Sequence, residues 1–238
     1  MTTAWPLPTR LTGVLRRPRA TFEALAAAPR ALDVLTLGFV AAFAATALAL
    51  ETDIGELALL DQLERTVSAF GEPLDEAQYA ALQEISDRGT AYALVTSFVS
   101  IPLLAVGVSG VLVGWRRARS RTAGPAPSFR QVLAVAGHAS IILALRQMLA
   151  APLVYARETM ASPLTLTMFF TLLDEGSPLT RFVGMIDLFV IWWTIVLAIG
   201  VSVLYRLRMA RVVAVFAGAY LVVAALLATV VAITGGAA

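Results

Sequence analysis

The chain has 238 residues, of which 59% are hydrophobic and only 14% charged, with a formal net charge of +2 and a mean hydropathy of +0.81. A soluble domain carries nearer 25% charge, so this length accommodates one membrane domain and no large soluble partner domain. There is no cysteine and no lysine, all 18 cations being Arg, which excludes disulfides, thiolate metal sites, Cys nucleophiles, a phosphate-loop lysine and Schiff-base chemistry.

Residues 1–30 form an expected cytoplasmic, Arg-rich amphipathic segment. Leu11, Val14, Leu15, Phe22 and Leu25 fall near helical spacing with Arg between them, and Pro18 divides the segment. A helix of this kind can lie on an anionic inner leaflet. Pro6, Pro8 and the lack of a continuous apolar core argue against a signal peptide.

Residues 31–238 are expected to form the membrane domain. Five apolar stretches run at roughly 34–50, 91–115, 129–155, 180–205 and 209–234, each about the ~20 residues a helix needs to cross a bilayer. In lipid, backbone polar groups must bond within their own segment, so these stretches become helices. The fold class is therefore all-α, a polytopic membrane protein with five transmembrane helices.

Asp33 opens the first span near the inner surface and is expected to face Arg30 or a loop Arg as a snorkelled charge. Ala41, Ala45 and Ala49 give the span a small-residue face. The acidic segment 51–90 reads as an extracytoplasmic helical hairpin. Asp53 and Glu56 give a capping-box pattern, Leu57, Leu60, Leu63, Val67 and Phe70 an apolar stripe, and Gly71-Glu72-Pro73 a break. Its carboxylates follow no calcium-loop spacing, so they read as a solvated face.

In the second span Pro102 predicts a kink, and Gly107, Gly110 and Gly114 a helix-packing face. Gly107-Val108-Ser109-Gly110 also matches the GxSG nucleophile motif of rhomboid proteases. Ser109 lies toward the cytoplasmic end, however, and five spans are fewer than the rhomboid six-span core. Ser128 is placed to cap the third span. That span carries His138, the only histidine, in its inner half, and Arg146 and Gln147 in its outer half.

One histidine without neighbouring carboxylates makes no metal site, and packing is its plainer role. Pro163–Leu173 is apolar but too short to cross, and reads as interfacial or re-entrant. Ser177-Pro178 supplies a cap and first-turn proline to the fourth span. Asp187 lies about two turns into that span, at a depth within roughly 5 Å of Arg146. The two are predicted to pair, directly or through Gln147. A charge inside a membrane demands a partner, and a structural ion pair is the plainer account.

Basic loops stay in the cytoplasm. Segment 1–30 carries Arg10, Arg16, Arg17, Arg19 and Arg30 against Glu23. Loop 116–128 carries Arg116, Arg117, Arg119 and Arg121 with no acid, and turn 206–211 carries Arg206, Arg208 and Arg211. Segment 51–90 holds ten acids against Arg65 and Arg88. The pattern predicts N-terminus inside, five crossings and C-terminus outside. Arg16, Arg17, Arg19, Arg116, Arg117, Arg119 and Arg121 are the candidates for contact with anionic lipid. The clusters lack the interleaved aromatics of base stacking, so no nucleic acid is expected. No cofactor motif appears.

Several segments resemble the Yip1-domain family. Leu15-Arg16-Arg17-Pro18-Arg19-Ala20-Thr21-Phe22-Glu23-Ala24-Leu25, followed by Pro29, resembles the proline-containing segment that opens bacterial members. Ser128-Phe129-Arg130-Gln131 through Ala139 resembles the start of their third span, and Asp187-Leu188-Phe189-Val190-Ile191-Trp192 the D-x-F-x-x-W pattern of the fourth. The resemblance covers most of the chain, with 51–90 matched least.

It implies a five-span fold with a cytoplasmic N-terminus and no catalytic residues. Eukaryotic relatives associate with prenylated Rab GTPases and membrane trafficking, a role that a bacterial member, lacking that system, does not inherit. Arg without Lys in an Ala-rich chain points to a GC-rich bacterial genome, hence to a multi-pass protein of the inner membrane. The leading expectation is a non-catalytic scaffold that organises the membrane or recruits a protein partner or a second copy. The alternatives are a small transporter or channel subunit with a polar path at Arg146, Asp187 and His138, and an intramembrane hydrolase through Ser109.

Overall fold

A computed structural model of the chain describes residues 5–52, 57, 86–118, 126–157, 164–169 and 178–234. The hairpin expected at 51–90 falls almost wholly outside these residues, as do Arg119, Arg121 and Ser177. The described elements are helical: α1 (Leu7–Arg16), α2 (Pro18–Ala27), α3 (Leu32–Leu50), α4 (Ser86–Ala118), α5 (Phe129–Ala139), α6 (Ile141–Arg157), a 3-10 turn (Leu166–Phe169), α7 (Pro178–Gly184), α8 (Leu188–Tyr205) and α9 (Met209–Thr234). Among the described residues, five stretches are long and apolar enough to cross a membrane: Leu32–Leu50, Val99–Arg117, Phe129–Leu153, Leu188–Tyr205 and Met209–Val230.

The third span passes from α5 to α6 at Ser140 with its backbone ladder kept, the Ser140 N–H donating to the Ala136 carbonyl at 2.9 Å and the Ala144 N–H to the Ser140 carbonyl at 3.2 Å. Ser140 ends α5, its hydroxyl donating to the Ala136 carbonyl at 2.9 Å. A hydroxyl bonded back to the preceding turn competes with the backbone ladder and bends it. The fourth span departs from expectation. Instead of running from 180, it is divided into short α7 and long α8 by Met185–Asp187. The second span runs through Pro102 as one helix from Ser86 to Ala118.

The chain folds as two compact units. The first comprises Met1–Ala41, Phe98–Leu145 and Ile191–Gly218. Here α1 and α2 pack on each other and on α5. Val14, Phe22 and Leu25 are fully or almost fully buried, while Leu15 is exposed, so much of the apolar face expected to meet the leaflet is covered by protein. Gly200 of α8 makes this possible, because a Cβ there would collide with Val135 and press on Phe22.

Ser128 starts α5 with a reciprocal cap: its hydroxyl accepts the Gln131 N–H, and the Gln131 side chain accepts the Ser128 N–H at 2.9 Å. Gln131 Nε2 then donates to the Ala26 carbonyl at 2.8 Å, satisfying the C-terminal end of α2. Arg206 adopts a left-handed conformation that ends α8 and returns the Leu207 N–H to the Ser202 carbonyl.

The second unit comprises Ala42–Ser97, Arg146–Val190 and Ala219–Ala238. Its described centre is the interruption of the fourth span. Leu166 N–H donates to the Ile186 carbonyl at 2.9 Å and Leu188 N–H to the Leu164 carbonyl at 3.0 Å. An extended piece of chain thus pairs with the backbone freed by the break. This meets the requirement that irregular backbone at membrane depth be satisfied by protein.

Candidate functional site

In the first unit the buried polar centre is built on Arg10, which is 3% exposed. Its Nη2 pairs with Asp33 Oδ2, and its Nη1 donates to Asp33 Oδ1 at 3.3 Å and to His138 Nε2 at 3.0 Å. Its Nε donates to the Trp5 carbonyl at 3.1 Å. A guanidinium can only donate, so His138 Nε2 accepts. The proton is then assigned to Nδ1, which lies 2.7 Å from the Ala134 carbonyl and donates to it.

His138 is therefore a neutral packing residue with both ring nitrogens engaged. Asp33 was expected to face Arg30 or a loop Arg; its partner is Arg10, because the turn at Arg17 folds α1 back against α5. The Asp33 carboxylate also accepts the Val34 N–H at 2.9 Å.

Ser109 is fully buried, and its hydroxyl donates to the Ala105 carbonyl at 2.6 Å. Neither ring nitrogen of His138 is directed at it.

In the second unit Arg146 Nε donates to Asp187 Oδ2 at 2.7 Å. The contact is direct, and Gln147 takes no part in it. Asp187 is 5% exposed and does more than balance a charge. Its Oδ1 accepts the N–H groups of Phe189 at 2.7 Å and Val190 at 3.3 Å, so it caps α8.

The sequence reading placed Asp187 inside a continuous span, whereas it stands at the start of a helix. Tyr220 completes the site: its hydroxyl accepts the Asp187 N–H at 3.0 Å and donates to the Met185 carbonyl at 2.9 Å. Sequence reasoning missed Tyr220, and nothing distinguishes it from other aromatics in an apolar helix. His138, for its part, makes its bonds to Arg10 and Ala134.

Gly107, Gly110 and Gly114 have no atom within 4 Å of where a Cβ would stand, so the expected packing face meets no described part of the chain. Close approaches occur elsewhere, as at Gly137, where a Cβ would stand 3.1 Å from Leu35. Arg16, Arg17 and Arg117 are exposed, Arg116 is half-buried, and Arg19 pairs with Glu23 at 3.1 Å across one exposed helical turn, a contact of little energetic weight. Among the described residues no three His, Asp or Glu side chains converge to hold a metal.

A model of the Yip1 domain matches residues 12–232. No curated protein and no solved structure matches the chain.

Proposed function

The chain belongs to the Yip1-domain family and is a multi-pass membrane protein, and on that premise we propose that it is a non-catalytic scaffold of a bacterial inner membrane, engaging anionic lipid through its arginine-rich face and recruiting a protein partner or a second copy. The observation that supports this reading is the distribution of charge. The sequence ranges of the first unit carry thirteen of the 18 Arg (all but Arg65, Arg88, Arg146, Arg157 and Arg181) against two acids, Glu23 and Asp33. The ranges of the second carry the other acids. By the positive-inside rule the first unit then faces the cytoplasm, with the C-terminus outside.

Phosphate headgroups there meet Arg16, Arg17 and Arg117, which are exposed. His138 accepts from Arg10, Asp187 caps α8, and Ser109 donates within its own helix to Ala105. Reconstitution into anionic and neutral vesicles, with limited trypsin digestion at Arg16 and Arg19, tests the proposal. Anionic lipid should protect these sites several-fold; equal protection in both would overturn lipid engagement.

A second reading, a small transporter or channel subunit, draws on the interrupted fourth span, since broken helices build many transport sites. A flux assay comparing wild type with Asp187→Asn separates the two. The scaffold predicts no flux in either protein.

A further inference from the structure

At the break in the fourth span almost every donor and acceptor has a partner inside the protein. Asp187 Oδ1 holds two backbone N–H groups and Oδ2 holds Arg146 Nε. The Tyr220 hydroxyl both accepts and donates. Leu188 N–H and the Ile186 carbonyl are taken up by Leu164 and Leu166. The exception is Arg146, whose described bonding ends at Nε. Its Nη1 and Nη2 donors have no partner among the described residues, and the side chain is 31% exposed.

Donors of a charged group left unpaired in hydrocarbon carry a penalty of several kcal/mol. A membrane can supply the acceptor that the described residues do not. Arg146 lies about 25 Å along the span from Phe129 at 1.5 Å per residue, in a hydrocarbon layer about 30 Å thick. Held there by Asp187, the guanidinium stands toward the headgroup boundary. The acceptor there is the phosphodiester of a phospholipid, whose two free oxygens match the fork of Nη1 and Nη2. Leu149, one turn further on α6, is 44% exposed and offers apolar surface to the acyl chains.

We propose that Arg146 is a phospholipid-binding site, its Nη1 and Nη2 donating to the phosphodiester while Nε stays on Asp187. The site does not depend on the scaffold reading. Because Asp187 already balances the charge of Arg146, recognition rests on directed hydrogen bonds rather than net charge. Zwitterionic and anionic phospholipids should thus bind alike, and salt should matter little. Lysine cannot replace arginine here, because a single ammonium cannot keep Asp187 and present a planar fork at once.

The test is native mass spectrometry of the full chain in maltoside detergent, titrated with phosphatidylethanolamine or phosphatidylglycerol. Wild type should retain phospholipid at least tenfold more tightly than Arg146→Lys, with either headgroup. Equal retention by both proteins overturns the site. Inorganic phosphate at millimolar concentration should leave the bound lipid in place; displacement would assign the site to a soluble anion and overturn the lipid assignment. If Arg146→Lys does not fold, wild type alone decides. Phospholipid should raise its unfolding temperature more than a phosphate-free glycolipid of the same chains, and equal shifts refute the proposal.

Discussion

In the first unit a buried cation is surrounded by acceptors; in the second a buried carboxylate is surrounded by donors. Arg10, 3% exposed, donates to Asp33, His138 and the Trp5 carbonyl. Asp187, 5% exposed, accepts from Arg146 and from the two backbone N–H groups that open α8. In each pair the countercharge is the more exposed member, with side-chain exposures of 37% for Asp33 and 31% for Arg146.

Burying one charge and leaving its partner near a boundary limits desolvation, which otherwise can exceed the Coulombic gain of a buried pair. The uses differ. Arg10 fastens a helix pair that precedes the first span, whereas Asp187 caps a helix that starts within the fourth.

Removing a countercharge should therefore be most harmful where the remaining charge cannot reach water. Arg146→Leu strands Asp187 and should destabilise the protein by about 3–5 kcal/mol, read by thermal or denaturant unfolding in detergent. Adding Asp187→Asn should recover a large part of the loss, and a double variant no better than the single one would break the comparison. Gly200→Ala drives a methyl against Val135 and Phe22 and should cost about 1–3 kcal/mol.

Arg10→Ala should cost a similar or smaller amount, about 1–3 kcal/mol, but locally. Trypsin should cut at Arg16 and Arg19 faster while α8 and α9 keep their protection in hydrogen exchange. Global unfolding by Arg10→Ala would show that the two centres are not the separate fasteners described here. Tyr220→Phe removes one hydroxyl from the break and should cost about 1–2 kcal/mol. Gly110→Leu meets open space and should stay within about 0.5 kcal/mol.

The five spans were legible in the sequence because apolar length alone decides them. The Arg146–Asp187 pair was legible because two intramembrane charges of opposite sign at one depth have few alternatives. The break beside Asp187 was not, since it needs Tyr220 and residues 164–166, which no local pattern supplies. Gly184 followed by Asp187 and an apolar run is a helix-start signature that would have found the cap.

The amphipathic pattern of residues 10–30 gave helices and their buried face, but not what covers it. α5 and α8 do so, and that depends on a single glycine at position 200. The GxxxG spacing at Gly110 and Gly114 showed a smooth surface without saying whether a helix arrives there.

The central claim, that the arginine-rich first unit faces the cytoplasm, is tested most directly by cysteine labelling, because the chain has no cysteine of its own. Gln62→Cys and Ser120→Cys would be treated with a membrane-impermeant maleimide on spheroplasts, before and after lysis. The account predicts that Gln62→Cys labels at once and Ser120→Cys only after lysis. Labelling of Ser120→Cys on intact spheroplasts, with Gln62→Cys protected, would contradict it.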